Sequence, residues 1–229
     1  MPTILALETS TEIASAALLH GDQVITRESS GVQTHSQTIL PMVQNLLAQT
    51  GITLAQCDAI AFGAGPGSFT GVRTACGIAQ GLAFGADLPV VPIVTLQAMA
   101  QACREATGAV NVLAMLDARM GEIYWAQYRF LEEWSTVAEP TLSPAAGVIP
   151  LADVTACGNG FSVYAAGMEA HPSMKRAQPE IMPHAKHVAW LARIEFIANR
   201  TVAPRDAQPI YLRNKVALTT SERFAKVTA

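Results

Sequence analysis

Three short apolar runs joined by tight turns open the chain, and an alternation of strand and helix signals follows; few architectures accept that order. Residues 3–7 are a continuous apolar run ending in the polar turn Glu8-Thr9-Ser10-Thr11, the pattern of a strand buried on both faces. Residues 14–19 carry a second strand pattern and, across Gly21-Asp22, residues 23–28 a third. These are expected to form an antiparallel meander. Ser36 is expected to cap a helix in which Ile39, Leu40, Val43, Leu46 and Leu47 recur at helical spacing, and Gly51 to stop it. Then come a strand at 59–63, the loop Ala64-Gly65-Pro66-Gly67-Ser68, a helix at 70–84, a strand at 89–93 and a helix at 95–105. A meander passing into β-α-β-α requires a mixed sheet with helices on its faces.

After Thr107-Gly108 the pattern restarts. Residues 110–116 and 122–130 read as strands around Asp117-Ala118-Arg119-Met120-Gly121, residues 131–150 as irregular and proline-containing, and 154–158 as a strand. Residues 184–197 form an amphipathic helix pattern, and 209–213 a short extended tail. The expected architecture is α/β in two lobes, 1–107 and 108–229, with helix 184–197 able to pack back on the first. With half of the 229 residues hydrophobic and 14% charged, a sizeable core is affordable. The net charge of −3 offers no basic face for nucleic acid. Cys57, Cys76, Cys103 and Cys157 lie far apart without CxxC spacing, so they read as buried free thiols. No basic region leads into a long apolar stretch at the N-terminus, and no run reaches membrane-spanning length; the cytoplasm is the expected compartment.

Four features could carry chemistry. Glu8, Thr9 and Ser10 at a strand end offer oxygen ligands and hydroxyls for a magnesium–phosphate group, or form an ordinary polar hairpin. Gly65, Gly67 and Ser68 lie in a loop entering a helix, where unpaired N–H groups and the positive dipole end attract anions. No Lys follows the glycines, so this is not a P-loop, and a tight turn capped by Ser68 fits equally. Gly77, Gly81 and Gly85 recur every fourth residue on the next helix. Each costs about 1 kcal/mol against alanine, which calls for another backbone approaching closely, within the chain or from a partner. Asp117 to Glu122 reads first as a salt-bridged turn and second as a carboxylate pair. His35, His184 and His187 begin helices and lack zinc-ligand companions. No nucleophile elbow or Cys–His arrangement is visible.

Together, ILALETST (4–11), GPGSFTGVR (65–73), AQGLA (79–83), DARMGEIY (117–124) and PIYLR (209–213) closely resemble the TsaB family, a branch of the superfamily of actin, Hsp70 and sugar kinases. The resemblance runs from Ile4 to Arg213. It implies two actin-like lobes of mixed sheets flanked by helices. It also implies a role in making the threonylcarbamoyladenosine next to the anticodon of tRNAs that read codons beginning with A. The partners implied are TsaD, which performs the transfer on a metal held by an H-x-x-x-H motif, and the ATPase TsaE. The chain is then expected to be a non-catalytic subunit that reaches tRNA only through the complex, with nucleotide at the TsaD/TsaE interface and no cofactor of its own.

The resemblance places Thr95 and Met99 where TsaD has its two histidines, and neither supplies an imidazole to a metal. After GVR the family usually continues with Gly, whereas Thr74-Ala75-Cys76 stands here. The partner surface is expected on two first-lobe helices. Ile39, Met42, Val43 and Leu46 would supply it from the first, and Arg73, Gly77, Gln80, Gly81 and Phe84 from the second. Without TsaD the same patch is expected to form a homodimer. Rival readings are a small-molecule kinase of the same superfamily, for which the second lobe offers only Gly158-Asn159-Gly160 as a phosphate loop, and a metallopeptidase.

Overall fold

A computed structural model describes residues 1–30, 34–163 and 174–213. Its two sheets share one plan. The first runs β3-β2-β1-β4-β5, built from β1 (Ile4–Glu8), β2 (Ile13–His20), β3 (Gln23–Ser30), β4 (Ala59–Gly65) and β5 (Val90–Val94). The second runs β10-β9-β6-β7-β8, built from β6 (Asn111–Asp117), β7 (Glu122–Phe130), β8 (Trp134–Pro144), β9 (Val154–Cys157) and β10 (Met174–Gln178). In each, an antiparallel meander is extended by two parallel strands on the side of its first strand.

Residue alternation explains the layering. Leu5 and Leu7 of β1, with Ile60, Phe62 and Ala64 of β4, face α1 (His35–Thr50) and α2 (Phe69–Ala86). Ile4, Ala6, Ala59 and Ala61 face the opposite way, against Ala185, Val188, Ala189 and Ala192 of α5 (Ala185–Ile197). Both faces are covered, so the strands are unbroken apolar runs. α3 (Thr95–Thr107) joins the lobes: Ala98 packs with the α5 layer, while Leu96, Met99 and Cys103 pack on Val112, Ala114 and Leu116 of the second sheet. A short helical turn, α4 (Asn159–Val163), follows β9.

Three sequence expectations change. The first cap of α1 is Thr34, not Ser36, with Gln37 Oε1 accepting the Thr34 N–H at 3.4 Å. Residues 131–150 contain the 11-residue strand β8, whose Pro140 and Pro144 are tolerated because it is an edge strand. β10 is a second edge strand, and its polar sequence gives no apolar alternation to read. Gly51 does end α1, at φ 69°, and Ser68 caps α2 by accepting the Gly71 N–H. The four cysteines are free and buried.

Candidate functional site

The loops after β1 and β4 interlock, and glycine is what lets them. Ser68 N–H donates to Ser10 O at 2.7 Å, and Thr9 Oγ1 donates to Gly71 O at 2.7 Å. A Cβ on Gly71 would lie 1.9 Å from Thr9 O, and one on Gly67 would lie 2.6 Å from Ser10 O. The loop is therefore glycine-rich because backbone meets backbone there.

Glu8 turns inward. Its carboxylate is fully buried, Oε1 accepting the Ser10 N–H at 2.7 Å and Oε2 the Thr95 hydroxyl at 3.3 Å. Thr95 Oγ1 in turn accepts the Gly65 N–H at 3.1 Å. Gly63 makes room, since a Cβ there would sit 1.9 Å from Glu8 Oε2. Burial pushes the Glu8 carboxyl above its usual range, against the hydrogen bonds from Ser10, Thr95 and Thr9. Of the six residues expected to hold phosphate, Ser10, Gly67 and Ser68 line the space between the lobes. Glu8, Thr9 and Gly65 do not: their backbone register turns them into the first lobe, where they tie loop to loop.

That space is a cleft of about 550 Å³. One wall is Ser10, Thr11 and the start of α2; the other is the turn from Asp117 to Met120, with Asn159; the tail residues Tyr211 and Arg213 close one side. Ser10 Oγ and Thr11 Oγ1 are buried with no partner among the described residues. Arg119 and Met120 sit at φ 64° and 58°, which projects Arg119 across the cleft to Glu12 at 2.9 Å and back to Asp117 at 3.2 Å. Arg213 pairs with Glu122 at 2.5 Å. The charged turn is thus ion-paired on both arms. Thr11 and Arg119 belong to the two candidate turns without a role of their own, and Tyr211 and Arg213 are not among the sequence-derived site residues, although both stand inside the quoted tail block.

The expected partner surface divides. Ile39, Met42, Val43 and Leu46 are buried against the first sheet with Leu5, Leu7 and Phe62, a correction: that helix face is used up by the chain's own core. Exposed on α1 instead are Leu40, Pro41 and Gln44. On α2, Gly77, Gly81 and Gly85 are exposed, with nothing among the described residues within 4 Å of where a Cβ would stand, and Phe84 is 82% exposed. Arg73 and Gln80 lie partly or wholly open but grip the chain's own tail. Arg73 Nε donates to the Tyr211 hydroxyl at 2.7 Å with its guanidinium 3.5 Å over the Phe69 ring, and Gln80 Nε2 donates to Ala207 O at 3.1 Å.

His184 caps α5, accepting the Lys186 N–H, and lies 3.3 Å from Glu28; His187 lies 3.3 Å from Glu105. Burial pushes His187 down to about 4 despite the pull of Glu105. Among the described residues no three of His, Cys, Asp or Glu gather as a metal set, and no helix is long and apolar enough to cross a membrane.

Residues 18–200 match the family described as TsaD, tRNA N6-adenosine threonylcarbamoyltransferase. The chain is 42% identical to the tRNA threonylcarbamoyladenosine biosynthesis protein TsaB of Haemophilus influenzae, over 93% of this chain and 94% of that one. It is 39% identical to the TsaB of Escherichia coli, over 93% and 96%. Among solved structures, YeaZ from Pseudomonas aeruginosa superposes with a TM-score of 0.85 at 38% identity, over 93% of this chain and all of that one. Another, described as an uncharacterized protein with similarity to peptidase YEAZ from Pseudomonas aeruginosa, gives 0.87 at 37% identity over 93% of this chain.

Proposed function

The chain belongs to the TsaB family of tRNA threonylcarbamoyladenosine biosynthesis proteins, within the wider TsaD family, and we propose that it acts there as a non-catalytic subunit that pairs with TsaD. It works in the cytoplasm, reaches tRNA only through the complex, and is joined by TsaE, with any nucleotide at the TsaD/TsaE interface. Without TsaD it forms a homodimer through the same face.

The observation that carries the reading is the open glycine line of α2. Among the described residues nothing packs where a Cβ on Gly77, Gly81 or Gly85 would stand, so their helix-propensity cost of about 1 kcal/mol each is not offset there. Phe84 beside them is exposed, and burying such a ring is worth about 1.5–3 kcal/mol. On α1, Leu40 and Pro41 are exposed, whereas Ile39, Met42, Val43 and Leu46 are buried. Thr95 and Met99 are committed to the lobe core, in keeping with a subunit that leaves the transfer to TsaD. Gly81→Leu tests this, because the added side chain meets open space in the monomer. The folded variant is expected to lose TsaD in a pull-down and to fail in tRNA modification; unchanged affinity for TsaD would sink the reading.

The cleft supports a second, weaker reading, an anion held by Ser10 Oγ, Thr11 Oγ1 and the start of α2 as a relic of a kinase phosphate loop. Its support is that both hydroxyls are buried with no hydrogen-bond partner among the described residues. Glu8 is sealed in the first lobe and Glu12, the other carboxylate of that loop, is paired with Arg119, so no ATP turnover is expected from the isolated chain. A steady ATPase rate abolished by Ser10→Ala would reinstate the kinase.

A further inference from the structure

The open row of α2 carries a charge at each end. Arg73, Gly77, Gly81 and Gly85 recur every fourth residue, so they share one side of the helix, and all four are exposed. Past the last glycine stands the exposed cap residue Asp87, about 21 Å from Arg73 at the rise of an α-helix. Across residues 35–50 and 69–87, the stretches of α1 and α2, Arg73 and Asp87 are the only Lys, Arg, Asp or Glu. Neither has an ion-pair partner among the described residues.

Arg73 is also held in place. Its guanidinium lies 3.5 Å over the Phe69 ring, and its Nε donates to the Tyr211 hydroxyl at 2.7 Å. Its terminal nitrogens find no hydrogen-bond acceptor among the described residues. A fixed charge at the end of a surface that a partner covers has to meet an opposite charge, because burying it unpaired is costly.

Reversed, the row is complementary to itself. In a two-fold pairing residue i meets residue j and j meets i. With the helices antiparallel, an axis beside Gln80 sets Arg73 of one copy against the partner's Asp87, at both ends. The exposed Phe84 then falls over the partner's Gly77, since the midpoint of Phe84 and Gly77 also lies beside Gln80. Ring and charges therefore call for the same register, and the glycines let the helix axes approach to about 8 Å. Arg73 gains further from the partner helix's C-terminal end, where the dipole favours a cation. A parallel pairing sets Arg73 against Arg73 and Asp87 against Asp87. Resting on the reading of this face as the pairing surface, we propose that two copies of the chain join through antiparallel α2 helices about a two-fold axis beside Gln80 and Gly81. An Arg73–Asp87 ion pair closes each end, and each Phe84 seats on the partner's Gly77.

The test is sedimentation of the full chain at low ionic strength, where ion pairs are least screened. The wild type is expected to be a dimer at micromolar concentration. Arg73→Glu and Asp87→Lys each set like charges against one another at both ends, and each should raise the dimer dissociation constant about a hundredfold or more. An equimolar mixture of the two variants restores opposite charges at both ends. It should sediment as a dimer again, which also shows that both variants are folded. A monomeric wild type, single variants that stay dimeric, or a mixture that stays monomeric would each overturn the proposal. Gly81→Leu separates the register from the face: if it too stays dimeric the face is wrong, and if it alone dissociates only the register is wrong.

Discussion

The hydroxyl of Thr95, at the first turn of α3, donates to Glu8 Oε2 at 3.3 Å and accepts the Gly65 N–H at 3.1 Å, so one side chain ties the ends of β1 and β4 to the helix that joins the lobes. Replacing it by Val keeps the volume and strands two buried polar groups. Thr95→Val is expected to cost about 1–3 kcal/mol in urea unfolding, with no change in metal content.

Glu8 gives a pH signature. Its folded carboxyl is raised by burial, so the folded state holds a proton more tightly than the unfolded chain. Its contribution is therefore full below the unfolded value of 4.5 and declines as pH rises through the folded one. Glu8→Gln removes the buried charge and retains the acceptor for Ser10 N–H. The variant should melt at or above the wild-type temperature at pH 7, and the gap should close on acidification; a large loss of stability at pH 7 would contradict the geometry.

His187 runs the other way. It falls from 6.5 to about 4 in the fold, so the stability it lends is complete above 6.5 and is lost as pH falls towards 4. The linked term is on the order of 3 kcal/mol, and His184 shifts in the same direction beside Glu28. His187→Gln should flatten the melting temperature between pH 7 and pH 5 in a calorimeter.

Glycines in the two halves of the β4–α2 segment should respond oppositely to alanine. At Gly63 the added Cβ runs into the Glu8 carboxylate at 1.9 Å, whereas at Gly81 it meets open space. Gly63→Ala is expected to lose several kcal/mol. Gly81→Ala should gain about 1 kcal/mol, a rise of roughly 2–4 °C in melting temperature, while weakening the proposed pairing with TsaD.

Across the cleft, the two arginines should differ. Arg119 is mostly exposed where it pairs with Glu12, whereas Arg213 is largely buried against Glu122. Arg119→Ala should change stability by less than about 0.5 kcal/mol. Arg213→Ala should cost about 1–2 kcal/mol and speed hydrogen exchange at Ile210, whose N–H bonds to Ala64 O.

Much of this was legible in the chain because it depends on neighbours in sequence. The unbroken runs of β1 and β4, the turn at Gly21-Asp22, the Ser68 cap and the stop at Gly51 each follow from local sterics, hydrogen bonding or residue alternation, which operate within a few residues. The meander of the first lobe follows from the same signals, whereas the strand order the two sheets share is set by long-range pairing. β8 and β10 were hidden because edge strands are held by backbone hydrogen bonds, which are blind to side-chain type, and need no apolar alternation.

Tertiary structure decided what each legible face meets. The apolar stripe of α1 could be read from its spacing; that the first sheet covers Ile39, Met42, Val43 and Leu46, while the glycine side of α2 stays open among the described residues, could not. Nor could the inward turn of Glu8, since its partner Thr95 lies 87 residues away. Periodicity states which side of an element must be buried, and only long-range packing states against what.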